Sequence, residues 1–467
     1  MAVTAAGISA MSVILKEFYE GPIAEQLNSE ILLMKRLSKR ADIVEGKTIV
    51  MPLHIGRNVG VMATSEGGVL PSAGKQQYAD MRFPIPLNYG HINMTGPVMA
   101  ASRSRRGAFA SVLEAEIEGL TRDFKNDINR QCWMDGSGRL AGVNNVAGAV
   151  MTVQNPLDWN NQGAVLQYLN LGDRISFIDV SAATQNIPNN AAFNYGNITA
   201  IDFNAKTITS DVDFSATMSA GDMIVKGATG GVLPTVDNTS ARLSTGATAN
   251  VNKEIMGIAG ICSGTNGWSL NIKAAGAYTA LPAGKVWANN NNGVTAAVTA
   301  DLQTVSAATT TQWQANMLFN GGVLRPLTGD LMQRACDLSE QIGQARPTII
   351  MTSYGCRRIC INLSTGDRRF SDGNFDAGST ELHFNKIPII PDKDAIPGAM
   401  FFLSEPDLMF ADMSDFHWFD KDGAVLSRAY SSAGALKDEW EAVLALYREL
   451  VTRRRNAQTV IGDIRET

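Results

Sequence analysis

Apolar residues recur at steps of three and four between residues 109 and 132: Phe109, Leu113, Ile117, Leu120, Phe124, Ile128 and Cys132. The pattern predicts one helix over 107–134, about 40 Å long at 1.5 Å per residue, with a single apolar stripe. Glu114, Glu116 and Glu118 precede Arg122, Lys125 and Arg130, the order that the helix dipole favours. Asp135-Gly136-Ser137-Gly138 ends the pattern. Upstream, after Gly21-Pro22, the residues Ile23, Leu27, Ile31, Met34 and Leu37 mark an amphipathic helix within an N-terminal arm.

Between these helices the period changes to two. KTIVMPLHI reads as a strand and MRFPIPLNYGHINMTGPV as a second extended run. The segment joining them holds five glycines and few large side chains, so the hairpin has no core of its own and is either mobile or laid over a neighbour.

From 151 to 310 the composition shifts. Charged side chains number 17 in those 160 positions, about 11 %, against about 22 % elsewhere, and Asn, Thr, Gly and Ala dominate. Short alternating runs in GDRISFIDV, GNITAIDFNAKTITS and GDMIVKG, separated by turn residues, predict an inserted small β-barrel or sandwich. It ends in an Asn- and Thr-rich loop around 286–310. Helical signals then return. Thr328-Gly-Asp330 precedes LMQRACDLSEQIG, RPTIIMTS is a buried strand ending at Ser353, and YGCRRICINLS is a helix with Ile359 and Leu363 on one side. A polar glycine-rich loop, STGDRRFSDGNFDAGSTE, leads into the strands of KIPIIPDKDAIPGAMFFL, and the C-terminal segment is expected to return as strands to the long helix.

A chain of 467 residues is long for one core, which sets an expectation of two or three domains, and 45 % apolar content is that of a globular protein. The first 15 residues have neither a positive n-region nor a long apolar run, so retention in a cytoplasm is expected. A net charge of −5 excludes the broad basic face of a tight nucleic-acid binder. Cys132, Cys262, Cys336, Cys356 and Cys360 form no CxxC pair, which argues against a disulfide framework or zinc ribbon and for buried thiols.

Candidate chemistry is sparse. His54, His91, His383 and His417 are dispersed and none neighbours a nucleophile elbow. No phosphate-cradling GxxxxGK[ST] is present, and GSG at 136–138 follows a helix, so the dipole there is wrong for an anion. Asp392-x-Asp394 is the best metal candidate, but no third acid follows before Glu405, and flanking Pro391 and Pro397-Gly398 favour a turn whose acids cap backbone amides or meet a neighbouring subunit. Arg453-Arg454-Arg455 reads as a solvated or intersubunit-paired stretch in preference to a phosphate patch. No catalytic, cofactor-binding or metal residue is assigned, and no enzyme activity or cofactor is expected.

The order of these segments resembles the major capsid proteins of tailed bacteriophages, the HK97 fold: an arm, a hairpin containing EGGVLPSAGKQQY, a helix from SRRGAF to NRQCWMDGSGRL, and the late KIPIIPDKDAIPGAMFFL strands. The resemblance covers roughly 20–150 and 320–467. It implies an α+β subunit with an N-terminal arm (1–45), an extended loop or E-loop (46–96), a peripheral domain with the spine helix (97–150), an inserted β-rich domain (151–320), an axial domain (321–430) and C-terminal strands (431–467). It further implies hexamers and pentamers of an icosahedral shell around packaged double-stranded DNA, assembled in a bacterial host cytoplasm and residing in the virion. The implied partners are other copies of the chain, a scaffolding protein, a portal and a decoration protein, with weak non-specific DNA contact and no membrane. Arg57, Glu66, Lys75, Arg82, Arg368, Arg369 and Asp372 are the expected intersubunit contacts. Lys75, near the loop tip, raises the family's Lys–Asn cross-link, but non-covalent assembly is the expectation. An encapsulin-like compartment shell is the alternative, and a metal-dependent hydrolase built on Asp392 and Asp394 a second.

Overall fold

The computed structural model describes residues 32–41, 48–98, 112–134, 136, 138–154, 166–178, 196–215, 218, 223–226, 254–262, 271–274, 277–280, 305, 310–320, 324–365, 382–420, 425–430 and 436–466. Along the chain come α1 (Leu32–Arg36), β1 (Ser38–Arg40), β2 (Thr48–Gly56), β3 (Gln77–Pro84), β4 (Leu87–Thr95) and the long helix α2 (Val112–Trp133). Six strands follow: β5 (Arg139–Ala147), β6 (Val150–Gln154), β7 (Arg174–Ile178), β8 (Gly196–Asp202), β9 (Thr207–Ser210) and β10 (Met223–Lys226). A one-turn helix α3 (Ile258–Ile261), the hairpin β11 (Asn271–Ala274) and β12 (Ala277–Ala280), and β13 (Asn316–Leu318) precede α4 (Gly329–Gln341). Next are β14 (Ile349–Thr352), α5 (Tyr354–Thr365), β15 (Leu382–Phe384), β16 (Ile387–Pro391) and β17 (Met400–Leu403). The chain closes with β18 (Leu408–Trp418), β19 (Ser427–Tyr430), β20 (Leu436–Thr452) and β21 (Thr459–Ile461).

These elements form two compact units. The smaller takes Gly90–Phe124 and Trp418–Leu444; the larger takes Ile31–Tyr89, Lys125–His417 and Ala445–Thr467. In the smaller, β19 pairs antiparallel with β20, Ser427 opposite Glu441. Gly90 of β4 lies where a β-carbon would press on Leu120 of α2, so that strand and helix approach closely.

The larger unit is organised by a six-stranded sheet in the order β13-β21-β17-β14-β16-β15. Both β14 and β17 are buried at every position, as unbroken apolar runs covered on both faces require. Alternation splits their side chains. Ile350, Ile389, Met400, Phe402 and Ile461 share one core with Leu331, Met332, Ala335 and Cys336 of α4 and Cys356 and Cys360 of α5. Phe401, one residue out of phase, packs against Trp133 of α2 with ring centroids 5.6 Å apart. Thr328 caps α4, its hydroxyl accepting from Leu331 N at 3.2 Å.

Strands β10-β5-β6-β9-β8-β7 close into an antiparallel barrel filled by residues such as Val143, Met151, Val153, Ile208, Phe214 and Ile224. The runs around 174, 196–210 and 223 are strands, as their alternation predicts. The barrel nevertheless starts at Arg139, ahead of the boundary expected at 151, because β5 follows α2 directly; with Arg139 as its one charge in nine positions, it already has the low charge content of the segment after it. At the other boundary, β13 lies within 151–320 yet pairs in parallel with β21 of the six-stranded sheet.

Other differences have local causes. The second extended run divides at Pro84-Ile85-Pro86 into β3 and β4, since prolines donate nothing to a ladder. On α5 the buried side is Cys356 and Cys360, while Leu363 is 42 % exposed. All five cysteines are free and buried. The predicted N-terminal helix is described from Leu32 to Arg36, with the arm before it, and most of the loop at 286–310, outside the described residues.

Helix α2 ends where Gly136 and Gly138 take φ of 76° and 84°. Gly257, entering α3, lies so close to that end that a β-carbon would strike Met134 O and sit 2.5 and 2.6 Å from Gln131 O and Cys132 O. Backbone oxygens at a helix end have little room to yield. Gly257→Ala is expected to destabilise the subunit by about 1–3 kcal/mol, the usual cost of overpacking, read as a lowered denaturation midpoint.

Candidate functional site

Two places concentrate unusual features, both in the larger unit: a long exposed hairpin and a buried polar junction around the end of α2. The hairpin is the antiparallel pair β2–β3, in register from Thr48 opposite Pro84 to Gly56 opposite Gln77. Beyond Gly56 the ladder stops, but the limbs stay together. Gly60 and Gly74 face one another at a distance that leaves no room for a β-carbon, and Asn58 bridges them, donating to Gly74 O at 3.1 Å and accepting from Gly60 N at 2.7 Å. The tip is a turn in which Gly68 N donates to Ser65 O at 2.9 Å and Gly67 takes φ of 70°. The EGG triplet of the sequence thus supplies its third residue.

Leu53 and Met81 are buried in this ribbon, whereas Val59, Val61, Met62, Val69 and Leu70 are 58–87 % exposed. Five large apolar side chains gathered on one slender loop are an unusual surface to leave in water. Of the sequence-predicted contact residues, Arg57, Glu66 and Lys75 lie exposed on this ribbon, Glu66 in the tip turn. Arg82 stands opposite Val50 within β3. Arg368, Arg369 and Asp372 lie outside the described residues.

The junction was only partly legible. Asp392 and Asp394 do form a turn, but it is no simple hairpin: β16 and β17 both pair with β14, from opposite sides, and the turn carries the chain over it. Both acids are buried, 2 % and 7 % exposed. Asp392 Oδ1 accepts from Asp394 N at 2.9 Å, the expected amide cap, and from Asn129 Nδ2 at 3.1 Å. The same Asn129 Nδ2 donates to Asp394 Oδ2 at 2.6 Å, and Tyr168 donates its hydroxyl to Asp394 O at 2.8 Å. The acids therefore meet the chain's own helix, not a basic neighbour. Among the described residues, no three His, Cys, Asp or Glu side chains gather as a metal site.

Next to Asn129, Arg130 holds Glu254 in a two-pronged pair at 3.0 and 2.5 Å and Asp127 at 3.1 Å, while Lys226 of β10 reaches Asp127 at 2.5 Å. Burial alone would discharge these groups; at Arg130 and Asp127 the opposite charges outweigh it, keeping Arg130 above and Asp127 below its ordinary pKa, whereas at Glu254 burial prevails and raises the carboxyl. Gln131 accepts from Ile255 N and donates to Asn88 and Asp127. On β20, Arg448 is fully buried, donating to Asp412 at 2.5 and 2.6 Å and lying 5.0 Å from the Phe410 ring. Glu449 accepts from Met256 N at 2.9 Å. Arg455 corrects the solvated reading of the arginine triplet: it is buried, donating to Ile261 O and Gly260 O at the end of α3 and to Trp313 O. Sequence patterning missed these pairs because each joins residues far apart along the chain. One signal was available: Gln-Cys-Trp-Met after Arg130 widens the apolar stripe to consecutive positions, as on a helix end buried all round.

The architecture is mixed α/β, and its structural neighbours are phage capsid proteins of the HK97 type. The chain is similar to the structure titled cyanophage A-1(L) capsid asymmetric unit, at 12 % identity and a TM-score of 0.54, covering 97 % of this chain and 98 % of that one. Weaker likenesses are the capsid of a native GTA particle, at 9 % identity, TM-score 0.48 and 99 % of both chains, and the holo-SrpI encapsulin complex from Synechococcus elongatus, at 6 % identity, TM-score 0.41 and 100 % and 98 % coverage. No protein-family model matches the chain, and no curated protein does. No helix among the described residues is long and apolar enough to cross a membrane.

The junction makes a direct energetic prediction. Arg130→Met strands the buried Glu254 beside Asp127 and is expected to cost about 3–5 kcal/mol, whereas adding Glu254→Leu should recover part of it, because a broken buried pair costs more than an absent one. Urea denaturation midpoints of the two variants measure the difference.

Proposed function

We propose that this chain is the major capsid protein of a tailed bacteriophage, a structural and non-enzymatic subunit. Its copies assemble into the hexamers and pentamers of an icosahedral shell enclosing double-stranded DNA. The observation that carries the reading is the hairpin, which presents an apolar tip to solvent in a subunit whose fold matches a phage capsid protein across nearly the full length of both chains. In this reading residues 46–96 are the extended loop, 97–150 the peripheral domain, 321–430 the axial domain, and 151–320 an inserted β-rich domain, with the inserted barrel drawing in β5 from the end of the peripheral segment and β13 left to the six-stranded sheet. Arg57, Glu66, Lys75 and Arg82 meet an adjacent copy along the loop's polar edges, and Arg368, Arg369 and Asp372 meet neighbours around the capsomer axis. A scaffolding protein, a portal and a decoration protein are the further partners, and the shell stands in the virion after assembly in the host cytoplasm.

The magnitudes suit reversible assembly. Burying five side chains at about 1.5–3 kcal/mol each gives a gross gain of roughly 8–15 kcal/mol. Association costs of about 4–15 kcal/mol are of the same size. One loop is thus a marginal contact, and repetition around the lattice makes the shell firm. A net charge of −5 fits an interior that touches packaged DNA without gripping its phosphates.

Replacing residues 58–76 by two glycines is expected to leave a soluble, folded subunit that forms no shells under negative-stain microscopy. Normal shells from that deletion would sink the extended-loop assignment. Native particles are expected to contain double-stranded DNA; an enzyme cargo in its place would move the reading to an encapsulin-like compartment.

A further inference from the structure

The buried acids at 392 and 394 are not explained by shell formation, and their surroundings are incomplete in a specific way. One carboxamide hydrogen-bond donor, Asn129 Nδ2, serves both carboxyl groups. Its own oxygen, Asn129 Oδ1, has no hydrogen-bond partner among the described residues, and neither has Asp392 Oδ2. Two buried acceptors of this cluster thus lack a hydrogen-bond donor among the described residues.

The charges facing the pair do not make up the shortage. Lys393, between the two acids, donates to Asn126 at 2.9 Å, and Arg130 on α2 is engaged by Glu254 and Asp127. Tyr168 spends its hydroxyl hydrogen on Asp394 O. The Trp133 indole N–H, a turn beyond Asn129, favours the charged form of Asp392 without reaching hydrogen-bond geometry. Cys132 adds nothing, since burial pushes its thiol up to about 12 and keeps it neutral.

We propose that Asp392, Asp394 and Asn129 form a proton-binding site in which the two carboxyl groups hold one proton between them, closing the link between the end of α2 and the turn over β14. With that proton in place, the pair gains the missing donor and carries one charge instead of two. The electrostatics agree in direction. Burial raises both acids, Asp394 to about 6, with the neighbouring Asp392 charge adding to it and Asn129, Lys393 and Arg130 pulling it back. The pair titrates as a unit, so the proton belongs to both.

The pH dependence has a definite sign. An unfolded chain releases the Asp394 proton around 3.8 and the folded chain near 6. Between these values the folded state binds more protons, so this site's contribution to stability falls as pH rises through the window and is flat above it. Most acid-sensitive carboxylates behave in the opposite way.

Thermal unfolding midpoints of the full-length protein, measured at constant ionic strength from pH 4.5 to 8, test the site. The wild type is expected to lose midpoint temperature as pH rises towards 6, over and above the trend of Asp394→Asn. That variant should melt higher than wild type at pH 8 and lack the fall. A slope unchanged in Asp394→Asn, or a midpoint lowered at every pH, overturns the proposal. Asp392→Asn removes the neighbouring charge and should move the inflection to lower pH; an unmoved inflection counts against a shared proton. If neither variant folds, infrared spectra of the wild type decide: a buried protonated-carboxyl band at pH 5 that is gone by pH 8 supports the site, and its absence overturns it.

Discussion

The last turn and a half of α2 is enclosed on every side, and that enclosure governs the larger unit. Ile128, Asn129, Arg130, Gln131, Cys132, Trp133 and Met134 are all buried. A helix end normally keeps one face in water; here three consecutive polar side chains have none. Each must therefore find a fixed protein partner, because an unpaired polar group in such a place costs about 1–3 kcal/mol. The partners come from separate parts of the chain: Asn129 binds the turn at 392–394, Arg130 binds Glu254, and Gln131 binds Ile255 N and Asn88. Trp133 completes the set against Phe401. The helix end acts as a hub whose geometry sets the register of segments that never pair with one another.

A buried ion pair is seldom the most stabilising choice for a site, since well-packed apolar residues of equal volume often do as well or better. Its value here lies in selectivity. Arg130 donates to both oxygens of Glu254, a two-pronged geometry that suits a carboxylate at one position and so favours one placement of the segment that arrives after the barrel. Arg448 does the same for Asp412 on the strand β18, and Arg455 for the carbonyls that end α3. In a chain whose middle third is poor in charge, the few ions that are buried mark the points where that segment is tied to the rest. Lys226 reaching Asp127 ties the barrel itself to the helix.

Elements that depend on local pattern were the most legible in the sequence. The 3.6-residue stripe of α2, the start of α4 after Thr328-Gly-Asp330 and the alternation of the barrel strands each arise from residues within a few positions of one another. Long-range features were not. Nothing near Glu254 or Arg455 announces burial, and a triplet of arginines has the same composition whether solvated or, like Arg455, sunk against a helix end. The Asp392-Lys393-Asp394 stretch was half legible: its prolines and glycine forecast a turn and the amide cap, but Asn129, more than 260 positions earlier, is what makes both acids one site. Composition located the barrel but blurred its ends: β5 is already as poor in charge as its barrel partners, so the shift begins ahead of 151.

The hairpin inverts the logic of the helix end. There, polar groups are buried and every partner is internal; in the ribbon, apolar groups are exposed and little internal holds them. Its limbs are joined by close glycine contacts and the Asn58 bridge instead of by a core, so the ribbon keeps its form without spending its apolar side chains on itself. Those side chains remain available for a surface of matching shape. Under the proposed shell-forming function, a well-packed centre and an exposed apolar arm are complementary requirements, since the chain must keep one shape alone and still join other copies. In that reading, a loose centre behind the same arm would let copies aggregate before they could register, and an arm with its own core would leave less apolar surface to drive them together.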